Sequence, residues 1–119
     1  MNILLVDDDI LLGTSFAEEI QHFSSEYDVT FCCSALLAIE LIRQNSYDLI
    51  VSDYHMSEMN GVEFWYHLKK TMGLAIPFIF HTSDSYSLKE KIPIESLSMV
   101  VEKGLVNLLN AISLALSDY

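Results

Sequence analysis

Residues 3–9 read Ile3-Leu4-Leu5-Val6-Asp7-Asp8-Asp9, and residues 48–53 read Asp48-Leu49-Ile50-Val51-Ser52-Asp53. Each holds a short apolar run, too short for a helix, that stops on a carboxylate. Runs of this length without polar alternation suit strands covered on both faces, as in a parallel sheet with helices above and below it. Phe78–Phe80 and Met99–Val101 repeat the pattern. Asp28–Cys33 departs from it: Val29, Phe31 and Cys33 alternate with Asp28, Thr30 and Cys32, as a half-exposed edge strand would.

Stretches of helical period separate the runs. Leu12, Phe16, Ile20 and Phe23 line one side of a first helix. Ala35, Ala38, Ile39 and Ile42 line a second, with Ser34 placed as its N-cap. Asn60 and Glu63 have capping-box spacing at the head of a third helix that buries Phe64 or Trp65, Leu68 and Met72. Leu105, Leu108, Leu109, Ile112 and Leu116 line the last. A fourth helix is poorly specified, because Pro93 ends any helix begun after Ser83 and pushes Ile92 toward extended geometry. These elements predict a doubly wound α/β domain over residues 1–119, five βα units with an atypical fourth helix.

Composition narrows the function classes. At 119 residues, half of them apolar, the chain is long enough for one hydrophobic core without staples. Its two cysteines, Cys32 and Cys33, are adjacent and point to opposite faces of an extended strand, so they read as reduced packing residues. No run is long enough for a signal peptide or a membrane span, which makes a cytoplasmic protein the expectation. A formal net charge of −11, with no cluster of Lys or Arg, argues against nucleic acid or an anionic membrane as a partner of this domain.

Ligands of such sheets bind beyond the carboxyl ends of the strands. The residues there are Asp7, Asp8 and Asp9, then Asp53, then Thr82 and Ser83, and finally Lys103. Clustered carboxylates cannot all stay ionised without a cation, and a hard, oxygen-seeking Mg²⁺ suits them. A metal, a lysine and a hydroxyl around a carboxylate are the parts that phosphoryl transfer requires. Asp53, the one carboxylate at the end of the third run, is the best nucleophile. Asp9 reads as the N-cap of the first helix and His81 as a hydrogen-bonded packing residue within a strand.

The runs 4–9 and 48–53, with Met56-Ser57-Glu58-Met59-Asn60-Gly61, Pro77-Phe78-Ile79-Phe80-His81-Thr82 and Lys103, resemble the receiver domain of two-component response regulators, in order and over the whole chain. The resemblance implies a flavodoxin-like sheet of order 2-1-3-4-5. It implies Mg²⁺ held by Asp8, Asp53 and the backbone carbonyl of His55, with Asp7 acting largely through water. Lys103 then pairs with Asp53 or the phosphoryl group, and the Thr82 hydroxyl bonds a phosphoryl oxygen. The donor it implies is a phosphohistidine on a sensor histidine kinase or a histidine phosphotransfer protein, with the signal passing to an unknown downstream protein. His55 and Asp84, two positions beyond Asp53 and Thr82, are implied to tune hydrolysis.

The chain departs from the family pattern at several points. Val100 stands where most receivers have an aromatic residue that swings inward, with Tyr86 as a candidate substitute. Ser57 replaces a common proline. Gly104 replaces the proline that usually follows the lysine across a cis bond. A cis bond before a non-proline residue costs about 2.5–4 kcal/mol, so Lys103–Gly104 is expected to be trans, or cis only under unusual contacts. The interrupted segment at Pro93 makes the usual activation dimer doubtful and leaves the oligomeric state open. Three readings compete: a phosphorylatable switch, a phosphorylation-independent pseudo-receiver that serves as an interaction module, and a Mg²⁺-dependent phosphatase. The last is disfavoured because Tyr54, His55 and Met56, and no second carboxylate, follow Asp53.

Overall fold

The computed structural model describes residues 1–117; Asp118 and Tyr119, the end of the expected 1–119 domain, lie outside the described residues. Five strands form one parallel sheet: β1 (Asn2–Val6), β2 (Asp28–Cys32), β3 (Leu49–Ser52), β4 (Phe78–Thr82) and β5 (Val100–Glu102). Their order is β2-β1-β3-β4-β5, as expected. Helices α1 (Ile10–Phe23), α2 (Ala35–Gln44), α3 (Gly61–Tyr66), α4 (Ser85–Lys89) and α5 (Leu105–Leu116) cover the two faces.

Alternation along the strands splits the core in two. Ile3 and Leu5 of β1 pack with Leu49, Val51 and Ile79 under α1 and α5, against Ala17, Ile20, Leu108 and Ile112. Leu4 and Val6 pack with Ile50, Phe78 and Phe80 on the other face, against Ala38, Ile39 and Ile42 of α2 and Val62, Phe64 and Trp65 of α3. Because both faces need apolar side chains, the central strands read as unbroken apolar runs. At the β2 edge the cysteines are free, Cys32 buried and Cys33 half-buried, and burial pushes the Cys32 thiol pKa up.

Three elements, α1, β2 and β5, differ in detail from expectation. β2 ends at Cys32, and it is Cys32, read as alternating with the core-facing residues, that is buried. In α1 the buried line is Gly13, Ala17 and Ile20, whereas Phe23 is 57% exposed. The Phe31 ring of β2 takes the space over Gly13, so the helix sits close on its small residues and its last residue clears the sheet. β5 is shifted by one residue and is half-exposed, not covered on both faces, because it forms the second edge of the sheet. Met99 belongs instead to a 3-10 turn, Ile94–Met99, that follows Pro93. The capping box of Asn60 and Glu63 is formed, and α3 continues as a π-turn over His67–Thr71. Both Phe64 and Trp65 are buried there, and Met72 is partly buried against the core. α4 is a helix of five residues that ends four residues before Pro93.

Candidate functional site

The sheet order reverses between β1 and β3, and their register pairs Val6 with Ser52. Asp7 and Asp53 are the next residues on these neighbouring strands, so they emerge side by side. Across the sheet Ser52 pairs with Phe80, and β4 runs two residues further to Thr82, which pairs with Glu102. Lys103 therefore leaves β5 at the same rim. Strand pairing alone brings these residues together from separated parts of the chain.

Asp7, Asp8 and Asp53 each present a carboxylate oxygen within 4.8 Å of the others. Asp7 is 3% exposed, Asp53 half-buried and Asp8 exposed, so the cluster opens to solvent on one side. Lys103 Nζ lies 2.8 Å from Asp7 Oδ2 and 2.8 Å from Asp53 Oδ2. Backbone amides complete the cradle: Asp9 N–H donates to Asp7 Oδ1 at 2.9 Å, and Tyr54 N–H to Asp53 Oδ1 at 2.7 Å. Burial raises the Asp7 pKa, although Lys103 and the Asp9 amide partly oppose this. Burial works against the Lys103 ammonium, but its bonds to Asp53 and Asp7 outweigh that and raise its pKa. Three carboxylates against one ammonium leave two negative charges in a small, partly dry volume, and hard oxygen donors of this kind could hold a divalent cation.

Thr82 is fully buried; its hydroxyl accepts the Asp84 N–H at 3.1 Å, leaving its own proton to donate. Asp9 caps α1 through Leu12 N–H, as read from the sequence. The His55 ring is exposed but not idle: its Nε2 lies 2.6 Å from Asp84 Oδ2, joining the loops after β3 and β4 at the mouth of the site. This bond holds the Asp84 carboxyl below the usual carboxylate range. The only sequence signal for the contact was the equal offset of the two residues from Asp53 and Thr82. Tyr86 is 80% exposed and occupies no interior position where Val100 lacks an aromatic ring.

Sequence reasoning also missed the role of Gly61. Its N–H donates to the Tyr54 carbonyl at 2.8 Å. A Cβ there would overlap the Asp53 carbonyl oxygen and lie 3.1 Å from Tyr54 Cα. Gly61→Ala must push the Asp53 backbone aside, and overpacking of this kind costs about 1–3 kcal/mol. Urea unfolding should show that loss; an unchanged midpoint would mean that the loop yields freely.

His81 is buried as expected, and Gly104 N–H donates to its Nε2 at 2.9 Å. Burial lowers its pKa from the ordinary 6.5 to about 4. The native state thus binds fewer protons than the unfolded chain between these values. The stability from a neutral His81 is complete above pH 6.5 and is lost as pH falls through 4, up to about 3 kcal/mol for such a shift. Denaturant titrations from pH 7 to pH 4 should show a steeper loss in the wild type than in His81→Gln, whereas parallel curves would refute the shift.

A five-stranded sheet of this order, carrying an aspartate cluster and a lysine at the β1–β3 switch, defines a class. The chain belongs to the response regulator receiver domain family, whose model matches residues 3–105. Among curated relatives it is 38% identical over 76 residues to the two-component response regulator ARR14 of Arabidopsis thaliana, covering 62% of this chain and 18% of that protein. It is 30% identical over 122 residues to protein-glutamate methylesterase/protein-glutamine glutaminase 3 of Burkholderia lata, covering 100% of this chain and 28% of that protein. The chain spans 36% of the probable transcriptional regulator ycf29 of Pyropia yezoensis, to which it is 35% identical over 82 residues, 68% of this chain. Among solved structures, the receiver domain of Francisella response regulator 1452 superimposes with a TM-score of 0.73 at 25% identity, covering 96% of this chain and 94% of that one. Response regulator TrrA of Thermotoga maritima, solved with Mg²⁺ and beryllofluoride, shares the fold with a TM-score of 0.79 at 23% identity, covering 97% and 98%. The chain is thus a receiver domain of a two-component response regulator. Among the described residues no helix is long and apolar enough to cross a membrane.

Proposed function

We propose that the chain is a phosphorylatable switch that takes a phosphoryl group onto Asp53 from a phosphohistidine of a sensor kinase or phosphotransfer protein. The observation that carries this reading is the placement of Lys103 Nζ 2.8 Å from Asp53 Oδ2, beside two further carboxylates. Asp8, Asp53 and the His55 carbonyl, with Asp7 through water, are the groups that would hold Mg²⁺. When bound, Mg²⁺ neutralises the charge that otherwise repels an incoming phosphoryl group.

The remaining work falls to the chain's own residues. A carboxylate oxygen of Asp53 attacks phosphorus as the P–N bond of the donor breaks, and the departing imidazole takes up a proton. Lys103, already paired with Asp53, offers its ammonium to the charge gathering on the phosphoryl oxygens. Thr82 donates its hydroxyl proton to one of those oxygens. The Tyr54 amide fixes the Asp53 carboxylate so that one face remains free for attack. Water attack on the acyl phosphate returns Asp53 and free phosphate, which resets the switch and makes the domain a signalling device rather than a turnover enzyme.

Acetyl phosphate, a small donor, tests the reading. The protein should gain one phosphoryl group in Mg²⁺ and none in EDTA. No label in either condition would leave the domain as a phosphorylation-independent interaction module.

A further inference from the structure

Gly104, which stands where the receiver pattern has proline, has an N–H that a proline lacks. That N–H is used: it donates to His81 Nε2 at 2.9 Å. The Lys103–Gly104 bond is trans, since no peptide bond among the described residues is cis. The preceding amide is also held, because Lys103 N–H donates to the Thr82 carbonyl at 3.0 Å. Two consecutive residues at the end of β4 thus grip two consecutive amides just past β5, on the segment that carries the ammonium.

The imidazole suits this task. It is 2% exposed and packs T-shaped with the Phe16 ring of α1, ring centroids 5.0 Å apart. Nε2 faces the Gly104 N–H at 2.9 Å and the Gly104 carbonyl oxygen at 3.4 Å; the shorter contact assigns Nε2 as the acceptor, so the ring is neutral with its proton on Nδ1. Burial keeps it in that form through the neutral range. Glycine is the residue with the greatest backbone freedom, and without a ring or a bond at position 104 the lysine would hang on a loose hinge.

We propose that His81 is a positioning residue for the phosphoryl site, fixing Lys103 against Asp53 by accepting the N–H of Gly104. The inference rests on the phosphoacceptor reading above but concerns a residue pair outside the acidic cluster. Nothing passes through His81 in the reaction; it acts only through the backbone that carries Lys103. A glutamine side chain can place an oxygen near the position of Nε2, whereas leucine fills the space without an acceptor.

The test compares wild type, His81→Gln and His81→Leu in two measurements. The first is NMR of the metal-free protein, reading the Lys103 ammonium signal and the hydrogen exchange of the Gly104 amide. Wild type and His81→Gln should keep a held ammonium and a protected amide; His81→Leu should lose both while the Leu108 amide of α5 stays protected. The second is the rate of acetyl phosphate labelling in Mg²⁺, which should fall about ten- to a hundredfold in His81→Leu and recover in His81→Gln, as displacement of a positioned group predicts. A His81→Leu protein with wild-type ammonium and amide signals would overturn the proposal, and so would equal losses in both variants, which would indicate simple packing. If the wild type takes no label, the phosphoacceptor reading fails, and the metal-free measurements still decide whether His81 holds Lys103 in place.

Discussion

Asp53→Asn will take no label from acetyl phosphate and will remain folded. The amide is nearly isosteric with the carboxylate but has no anionic oxygen to attack phosphorus, so the loss should be complete rather than graded. The fold should survive because the local bonds have substitutes. The asparagine oxygen can accept the Tyr54 N–H that Asp53 Oδ1 accepts at 2.7 Å, and Lys103 keeps its partner Asp7 at 2.8 Å. With three carboxylates reduced to two against the same ammonium, Mg²⁺ affinity should drop as well. Mass spectrometry and thermal unfolding of the same sample check both halves. Label in Asp53→Asn at the wild-type rate would mean that another carboxylate, Asp7 or Asp8, is the acceptor.

Lys103→Met separates positioning of the metal from positioning of the phosphoryl group. The Lys103 side chain is 16% exposed and its ammonium bridges two carboxylates, so it contributes through charge in a partly dry site. Its loss should slow labelling about a hundred- to a thousandfold, as removal of one donor from a charge-stabilising site does. Mg²⁺ binding should move the other way, tightening by about tenfold or more, since a like charge has left the cluster. Without Mg²⁺ the variant should be less stable, because Asp7 and Asp53 then repel each other with no cation between them, and added Mg²⁺ should restore it. Calorimetric Mg²⁺ titration beside labelling rates checks the split; weaker Mg²⁺ binding would show that the lysine supports the metal site instead of opposing it.

The parts of this account that were legible in the sequence depend on strand ends. Val6–Asp7 and Ser52–Asp53 each show an apolar run closing on a carboxylate, and a parallel sheet has little freedom in where such ends go. Ser34 and Asp9 as caps and the Asn60–Glu63 box were legible because capping is local chemistry between residues three apart. The α1 face was misread at Phe23, because periodicity favours large apolar residues, while the observed contact is made by Gly13 and Ala17 beneath a ring of β2. β5 was misplaced by one residue because Met99, Val100 and Val101 are equally apolar and only the turn after Pro93 decides where the strand begins.

Side-chain contacts between distant residues were not legible. The His55–Asp84 bridge and the His81–Gly104 bond each join residues more than twenty positions apart, and neither leaves a periodic or compositional trace. Gly104 was conspicuous as a missing proline, and the Lys103–Gly104 bond was expected to be trans. The structure shows the lysine in contact with Asp53 all the same. The N–H gained with glycine is the physical reason that this substitution and a buried histidine belong together. Gly61 was quoted within a motif, but its closeness to the Asp53 carbonyl appears only in three dimensions.

What occupies the rim between Asp7, Asp53 and Lys103 decides whether Asp53 is a phosphoacceptor. A crystal structure of the protein with Mg²⁺ and beryllofluoride is the most direct measurement. The account predicts beryllium bonded to a carboxylate oxygen of Asp53 and the cation on Asp8, Asp53 and the His55 carbonyl, with the Lys103 ammonium and the Thr82 hydroxyl on fluoride. A cation bound away from Asp53, or an Asp53 left bare while beryllofluoride binds elsewhere, would contradict it.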